Sequence, residues 1–404
     1  MPDRNPTLDD ILAAQKTLHS VSRVTPVHTS QWLTGCLGGP ALLKCENLQR
    51  TGSYKLRGAY NRIAGLTEEE RARGVVAASA GNHAQGVALA GTLLGANPTV
   101  FMPVGAPLPK VEASRSYGAD VRFHGVTVEE ALVAAEEFAA ESGAVFIHPF
   151  DHPLVVAGQG TVALEILEQC PQARTIVAGV GGGGLLAGLA TAVRALRPEV
   201  RVVGVQAEGA APYPPSLAAG HPVTLDSVAT MADGISVRRP GDVPFSIIRE
   251  LADEVRTVSE ESISRALVLL LERAKLTVEP AGAAAVAALL DNPGDFEPPV
   301  VAVLSGGNID PLLLVRVLRH GLVSAGRYLS LRVQVPDRPG ALAELLALLT
   351  PVGANIHSVE HVRTNPELRV GEAEVALQLE TRGAAHRDEV IARLRAAGYR
   401  LAWG

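Results

Sequence analysis

Residues 175–193, TIVAGVGGGGLLAGLATAV, are the one long uncharged run of the chain, and their reading decides the fold. By length the run could span a bilayer. Four consecutive glycines, Gly181 to Gly184, stand at its centre, and glycine weakens a helix interior. A buried strand over 175–180, a glycine loop and a helix over 185–196 explain the run better. VRVVGVQAE (200–208) follows as another strand. Working outward, the same alternation continues on both sides. Upstream, strands are expected at 41–45, 75–78, 99–104, 119–125 and 144–150. The helices between and after them are expected at 54–64, 83–94, 107–117, 127–142 and 158–169. Downstream come helices at 260–274 and 280–290, a strand at 300–308 and a helix at 310–320. An amphipathic helix over 7–20, with Thr7 as its N-cap, opens the chain, and 209–245 reads as irregular. Strands alternating with helices at this spacing indicate a doubly wound α/β fold with parallel sheet.

The pattern changes near residue 326. YLSLRVQVP reads as a strand, DRPG (337–340) as a turn and ALAELLALLTPVG as a helix. ANIHSVEHVRT and GEAEVALQLET are strands, HRDEVIARLRAAG a helix and YRLAW a last strand. The order βαββαβ is ferredoxin-like and marks a second domain. The expected division is therefore 1–325 and 327–404.

Composition narrows the classes. The 404 residues are 47% hydrophobic and only 4% aromatic, so the core is aliphatic. The net charge is −6 and no basic block appears, which argues against nucleic acid and against an anionic membrane as partners. The first residues, MPDRNPTLDDILAA, carry acids and no apolar signal core. Cys36, Cys45 and Cys170 have neither paired nor ligand-like spacing and suit buried thiols in a reducing cytoplasm.

Three glycine loops follow strands, where an open parallel sheet gathers its ligand. In the first, Gly179 to Gly184 precede a helix whose free N–H groups can take an anion. The match to G-x-G-x-x-G through Gly179, Gly181 and Gly184, with Glu208 ending the next strand, keeps a nicotinamide enzyme open. No Lys-Ser/Thr pair follows the glycines, so a Walker loop is excluded. The second loop is Ser79-Ala80-Gly81-Asn82-His83, and the third is Ser305-Gly306-Gly307-Asn308. To these the stretch QRTGSYKLRGAY (49–60) adds a lysine. Thr51-Gly52-Ser53 is a turn and helix-cap signal, which puts Lys55 in the first turn of a helix. A cation there faces the positive end of the helix dipole, so Lys55 should release its proton readily and serve carbonyl chemistry.

Taken together, these segments resemble the fold-type II pyridoxal-phosphate enzymes, and within them the threonine dehydratases. The matching elements are TGSYKLRGA (51–59), SAGNHAQGVA (79–88), AGQGT (157–161), GVGGGGLLAG (179–188), VEPAGAA (278–284) and SGGN (305–308), covering residues 1 to about 320. The last domain is similar to an ACT domain, with DRPGAL at its first strand–helix turn. The resemblance implies a two-lobed catalytic region with a small lobe at about 45–155 inserted in the large one. It implies pyridoxal 5'-phosphate as cofactor, with Lys55 anchoring its carbonyl and later taking the α-proton. Asn82 would bond its 3'-oxygen, the backbone of Gly181, Gly182, Gly183, Gly184 and Leu185 its phosphate, and Ser305 would face its ring nitrogen. Ser79, Ala80, Gly81, Asn82 and His83 would receive the substrate carboxylate. Arg338, Pro339, Gly340, Ala341 and Leu342, with Asn355 and Ile356, are the candidates for an amino-acid effector. ACT domains pair, so a homo-oligomer, dimer or tetramer, is expected.

The implied reaction is dehydration and deamination of L-threonine to 2-oxobutanoate, and of L-serine to pyruvate. A serine hydroxyl cannot protonate the ring nitrogen as an aspartate would, and the weaker electron sink suits prompt loss of a β-leaving group. Three departures from the family bear on this. Tyr54 replaces the usual Phe before the lysine. Ala80 stands where racemases of this family carry a serine as second-face base, which favours dehydration over racemisation. Residues 209–215, GAAPYPP, lack the aspartate that would complete a cation site with Glu208, so no metal is expected. His83 is expected to fix its loop, and Glu279 to be an acid at a helix start, with a role near the substrate hydroxyl as the alternative reading. The competing readings are a nicotinamide enzyme, a non-enzymatic amino-acid sensor, and racemisation or β-replacement on the same cofactor.

Overall fold

The computed structural model describes residues 4–363 and 368–403. Two compact units divide the chain, Met1–Pro311 and Leu312–Gly404. The first unit contains two sheets. The larger has the strand order Val27–Thr29, Ala41–Lys44, Val300–Val303, Thr175–Gly179, Arg201–Ala207, Glu254–Val258. All its pairs are parallel except that of Val27–Thr29 with Ala41–Lys44. The smaller is wholly parallel, in the order Asp120–Phe123, Pro98–Met102, Val75–Ala78, Val145–Phe146. In sequence it falls between Ala41–Lys44 and Thr175–Gly179 of the larger sheet.

The central strands are buried from end to end, which is why they read as continuous aliphatic runs and not as alternations. Two elements hold the lysine segment against this frame. The helix Lys55–Ala64 presses on Pro153–Gln169 so closely that a Cβ on Gly158 would lie 2.6 Å from the carbonyl oxygen of Arg57. Beside that crossing lies a buried quartet of charges. Arg57 Nε reaches Glu46 Oε2 at 2.8 Å and its Nη1 reaches Glu165 Oε1 at 2.7 Å, while Lys44 Nζ meets Glu165 Oε2 at 2.5 Å. Burial pushes the Glu46 carboxyl up, but Arg57, Thr25 and Lys44 outweigh it and hold the carboxyl below its usual range. Two cations facing two anions leave the cluster neutral, the condition under which buried charges are tolerated.

Several elements differ from expectation. The strand expected over 144–150 is two residues long, Val145–Phe146, because His148-Pro149-Phe150 turns away to build the site. The stretch 209–245 contains a helix, Tyr213–Ala219, and the start of another, Asp242–Leu251, each with proline in its first turn. The helix Gln31–Leu37 and the strand Glu254–Val258 were not anticipated. The helix expected over 260–274 runs from Glu260 to Leu269 and then widens into a π turn, Leu270–Ala274. Cys36 is exposed, unlike Cys45 and Cys170, so only two of the three thiols are buried.

The second unit contains one antiparallel sheet in the order Asn355–Val362, Glu372–Glu380, Tyr328–Pro336, Arg400–Trp403, with helices Ala341–Ala347 and Ala384–Ala396. Alternating Leu329, Leu331, Val333 and Val335 face its core.

Candidate active site

A cavity of about 380 Å³ opens where the three glycine loops and the lysine segment meet. Lys55 is the first residue of its helix, as expected, but the N-cap position is Tyr54 and no side chain of Thr51-Gly52-Ser53 caps the helix. Its Nζ donates to the carbonyl oxygen of Pro149 at 3.0 Å. Its pKa is lowered to about 8, by burial first, against an opposing pull from Glu279. The direction matches the sequence argument, but desolvation and not the helix dipole is its main cause.

The Ser305–Asn308 loop stitches the lysine segment in place. Tyr54 N–H donates to Ser305 O at 3.2 Å, Gly307 N–H to Gly52 O at 2.9 Å, and Glu279 N–H to Gly306 O at 3.0 Å. Asn308 Nδ2 donates to Thr51 O and to Asn82 Oδ1, both at 2.8 Å. Asn82 Nδ2 in turn donates to Glu279 Oε1 at 2.5 Å, leaving its second amide hydrogen free for a ligand. Glu279 caps the start of helix Pro280–Asp291 and is buried. Burial and the nearby Asp233 push its carboxyl up to about 7, against Lys110, Asn82 and Lys55.

The glycine loop is shaped as an anion cradle. Among the described residues, the N–H groups of Gly181 to Leu185 have no acceptor. Such groups at a helix start, here Gly184–Leu196, suit an anion with several oxygens, such as a phosphate. A side chain at the centre of the loop, at Gly182 or Gly183, would collide with its neighbours. A Cβ on Gly182 would lie 2.3 Å from the Phe150 ring, and one on Gly183, at φ +103°, 2.0 Å from Tyr213 Oη.

In the Ser79–His83 loop, the N–H groups of Ala80, Asn82 and His83 likewise have no acceptor among the described residues, while Gly81 N–H donates to Ser79 Oγ at 3.1 Å. These donors suit a carboxylate. His83 Nε2 is 2.7 Å from Ile147 O. Burial, and then Lys55, hold its imidazole down at about 3, so the ring is neutral at ordinary pH and fixes the loop. Lys55, Asn82, Gly181 to Leu185, Ser305 and the Ser79–His83 loop therefore all line one cavity. Lys110, Asp233, Phe150 and Tyr213 also shape the site, the last from behind Gly183, and sequence reasoning missed them. None stands in a glycine loop that would have drawn notice.

Glu208 is exposed, and among the described residues no group of His, Cys, Asp or Glu could hold a metal ion. In the second unit the expected effector residues do not converge. Arg338 is paired with Glu344 at 2.8 Å, and Asn355 Nδ2 donates to Glu380 Oε2 at 3.0 Å. Pro336, just before the Arg338 turn, pairs with Glu372, whereas Asn355 pairs with Glu380. The two segments thus stand at opposite ends of one strand, on the order of 25 Å apart at about 3.3 Å per residue.

Residues 20–306 match the family described as pyridoxal-phosphate dependent enzyme, and residues 329–398 match the ACT domain. The chain is 47% identical over 395 residues to an L-threonine ammonia-lyase of Thermotoga maritima, covering 98% of each. Its fold is similar to that of the processed form of threonine deaminase isoform 2 from Solanum lycopersicum, with TM-score 0.75 and 36% identity, covering 80% of this chain and 92% of that one. It is also similar to maize serine racemase, with TM-score 0.74 and 35% identity, covering 80% of this chain and 99% of that one. No helix among the described residues is long and apolar enough to cross a membrane.

Proposed function

The chain belongs to the pyridoxal-phosphate dependent enzymes and carries an ACT domain after that region, and on this premise we propose that it dehydrates and deaminates L-threonine to 2-oxobutanoate and ammonia, and L-serine to pyruvate. The observation that carries the reading is one cavity joining a lysine of lowered pKa to five unengaged N–H groups.

The site fits the cofactor on its own terms. The glycine cradle, which any Cβ would fill, suits the phosphate, and Lys55 is a primary amine disposed to react with a carbonyl. Asn82 would bond the ring hydroxyl through its free amide hydrogen, and the neutral hydroxyl of Ser305 would face the ring nitrogen. Bound there, the cofactor supplies an electron sink that acidifies the α-proton of an amino acid and permits loss of its β-substituent.

The chain's own residues do the rest. The Ala80, Asn82 and His83 N–H groups hold the substrate carboxylate and so fix which α-bond faces Lys55. Lys55, with its pKa near 8, takes the α-proton. Glu279, pushed up to about 7, can hold or release a proton at Oε1 beside Asn82. Ala80 offers no proton-carrying group on the second face, which supports elimination over racemisation.

The ACT domain supports amino-acid regulation. Because the Arg338–Leu342 turn and Asn355-Ile356 lie at opposite ends of the sheet, an effector site using both needs two copies of the chain, and a homo-oligomer goes with that reading.

The test is release of 2-oxo acid and ammonia by the cofactor-loaded protein from L-threonine, L-serine and their D-forms. Product from L-threonine that Lys55→Ala abolishes supports the proposal. Conversion of L-serine to D-serine at a rate matching or exceeding ammonia release favours racemisation, the activity named in the maize relative. A colourless protein that binds NAD overturns both.

A further inference from the structure

The chain contains five lysines and thirty-one arginines. Its positive charge is therefore carried almost wholly by arginine, yet two of the five lysines, Lys55 and Lys110, line this one cavity. A lysine is slimmer than an arginine and presents a single point of charge.

Lys110 stands in the helix Leu108–Ser116, which continues from the smaller sheet, and is itself buried. Its Nζ forms an ion pair with Asp233 Oδ2, 123 residues away. Asp233 opens the turn Asp233–Ile235, and that turn roofs the catalytic loops. A Cβ on Gly181 would lie 3.0 Å from Ile235 Cα, and one on Gly234 2.9 Å from Ala281 Cβ and 3.5 Å from Glu279 Oε1. The turn thus touches the anion cradle on one side and the Glu279 helix start on the other. The C-terminal end of the Lys110 helix is tied to the lysine segment, where Tyr117 Oη donates to Arg50 O at 3.2 Å.

We propose that Lys110 and Asp233 are a positioning pair that fastens the Leu108–Ser116 helix to the Asp233–Ile235 turn and so closes the mouth of the cavity over a bound amino acid. Neither side chain reacts. The pair sets how long the substrate stays in register with Lys55 and the cradle, in a pocket whose two walls come from different sheets. Half of Asp233 remains exposed, with its side chain at 53% of full exposure, so water can take up its carboxylate when the pair opens, while the Lys110 side chain, at 8%, stays buried within electrostatic reach of Glu279. A contact that closes and opens needs such a partner on the solvent side.

The kinetic arm of the test rests on the threonine reading, and a second arm does not. The cofactor-loaded full-length protein is compared with Lys110→Met, Asp233→Asn, Lys110→Arg and the exchange Lys110→Asp with Asp233→Lys. Steady-state KM and kcat are measured on L-threonine. Separately, hydroxylamine is added and the loss of the visible cofactor band is timed, which reports access to the cavity without turnover. Each single neutral variant should raise KM about tenfold, change kcat by no more than about threefold, and speed bleaching about tenfold, within the range of ordinary coupling between sites. The exchange, which re-forms the pair in reverse, should recover most of both losses, and Lys110→Arg, which keeps the charge on a bulkier fork, should fall between the parent and Lys110→Met. Unchanged KM and bleaching in the single variants overturn the proposal. So does an exchange variant no better than the two single defects combined. If the parent itself turns over no threonine, the reaction reading fails, and the bleaching arm still decides the role of the pair.

Discussion

Gly182→Ala places a methyl group where the structure leaves no room. The added Cβ would lie 2.3 Å from Cδ2 and Cε2 of Phe150 and 2.4 Å from its Cγ. Carbon atoms rest about 3.5–4.0 Å apart, so the ring must retreat by about 1.2–1.7 Å. Phe150 is poorly placed to do so. Its ring meets His148 edge-on with centroids 4.6 Å apart, and its N–H is held by His148 Nδ1 at 3.3 Å. Its neighbour Pro149 accepts the hydrogen bond of Lys55. Overpacking of this kind costs about 1–3 kcal/mol. Where the loop distorts to relieve it, cofactor binding weakens by about 5- to 150-fold. Gly182, unlike Gly183, is not left-handed, so the effect is steric and not conformational. The assay is titration of cofactor-free protein with pyridoxal 5'-phosphate, followed by its visible band, with thermal melts of both proteins alongside. Phe150→Leu in the same chain should return much of the affinity. Unchanged affinity and melting in Gly182→Ala would refute the reasoning, and so would a loss that Phe150→Leu does not ease.

Three further outcomes are expected. Because burial holds the Lys55 amine at about 8 and Glu279 pulls it up, the free-amine fraction rises through that pH and then levels. Capture of a carbonyl compound by cofactor-free protein should follow it, and Glu279→Gln should bring the plateau to lower pH; a rate still climbing toward the ordinary lysine value of 10.5 would contradict this. Glu165→Gln leaves Lys44 and Arg57 sharing the single carboxylate of Glu46, and a buried uncompensated charge costs about 3–5 kcal/mol, read by denaturant unfolding. A loss below about 1 kcal/mol would show that water reaches the quartet. A chain ending at residue 326 should keep threonine turnover and lose any response to isoleucine or valine; a full response in the shortened chain would remove the ACT domain from regulation.

The catalytic fold was legible because its punctuation is local. Val75–Ala78 and Thr175–Gly179 are short aliphatic runs that stop at glycine-bearing loops, and helices follow at once. The lysine segment, Asn82 and Ser305 could be placed on such loops, and a parallel sheet brings loop ends together. What escaped is what depends on distant partners or contradicts local signals. Asp242–Leu251 carries Pro244 in its first turn and lies in a proline- and glycine-rich stretch, so it read as loop. Gln31–Leu37 is short and has Gly35 inside it. The Lys110–Asp233 pair joins residues 123 positions apart, and the Phe150 and Tyr213 atoms that make glycine obligatory at 182 and 183 come from other elements. The effector residues show the limit of local motifs within one chain. Their local motifs read clearly, but strand register sets them at opposite ends of the sheet.

The central claim is that Lys55, among the five lysines, is the amine that holds the cofactor's carbonyl. Borohydride reduction of the loaded protein, followed by proteolysis and mass spectrometry, tests it directly. The account predicts that the visible band disappears and that the reduced pyridoxyl group is found on Lys55 alone, with Lys16, Lys44, Lys110 and Lys275 unmodified. A label on Lys110 or another lysine, or no covalent label at all, would contradict it.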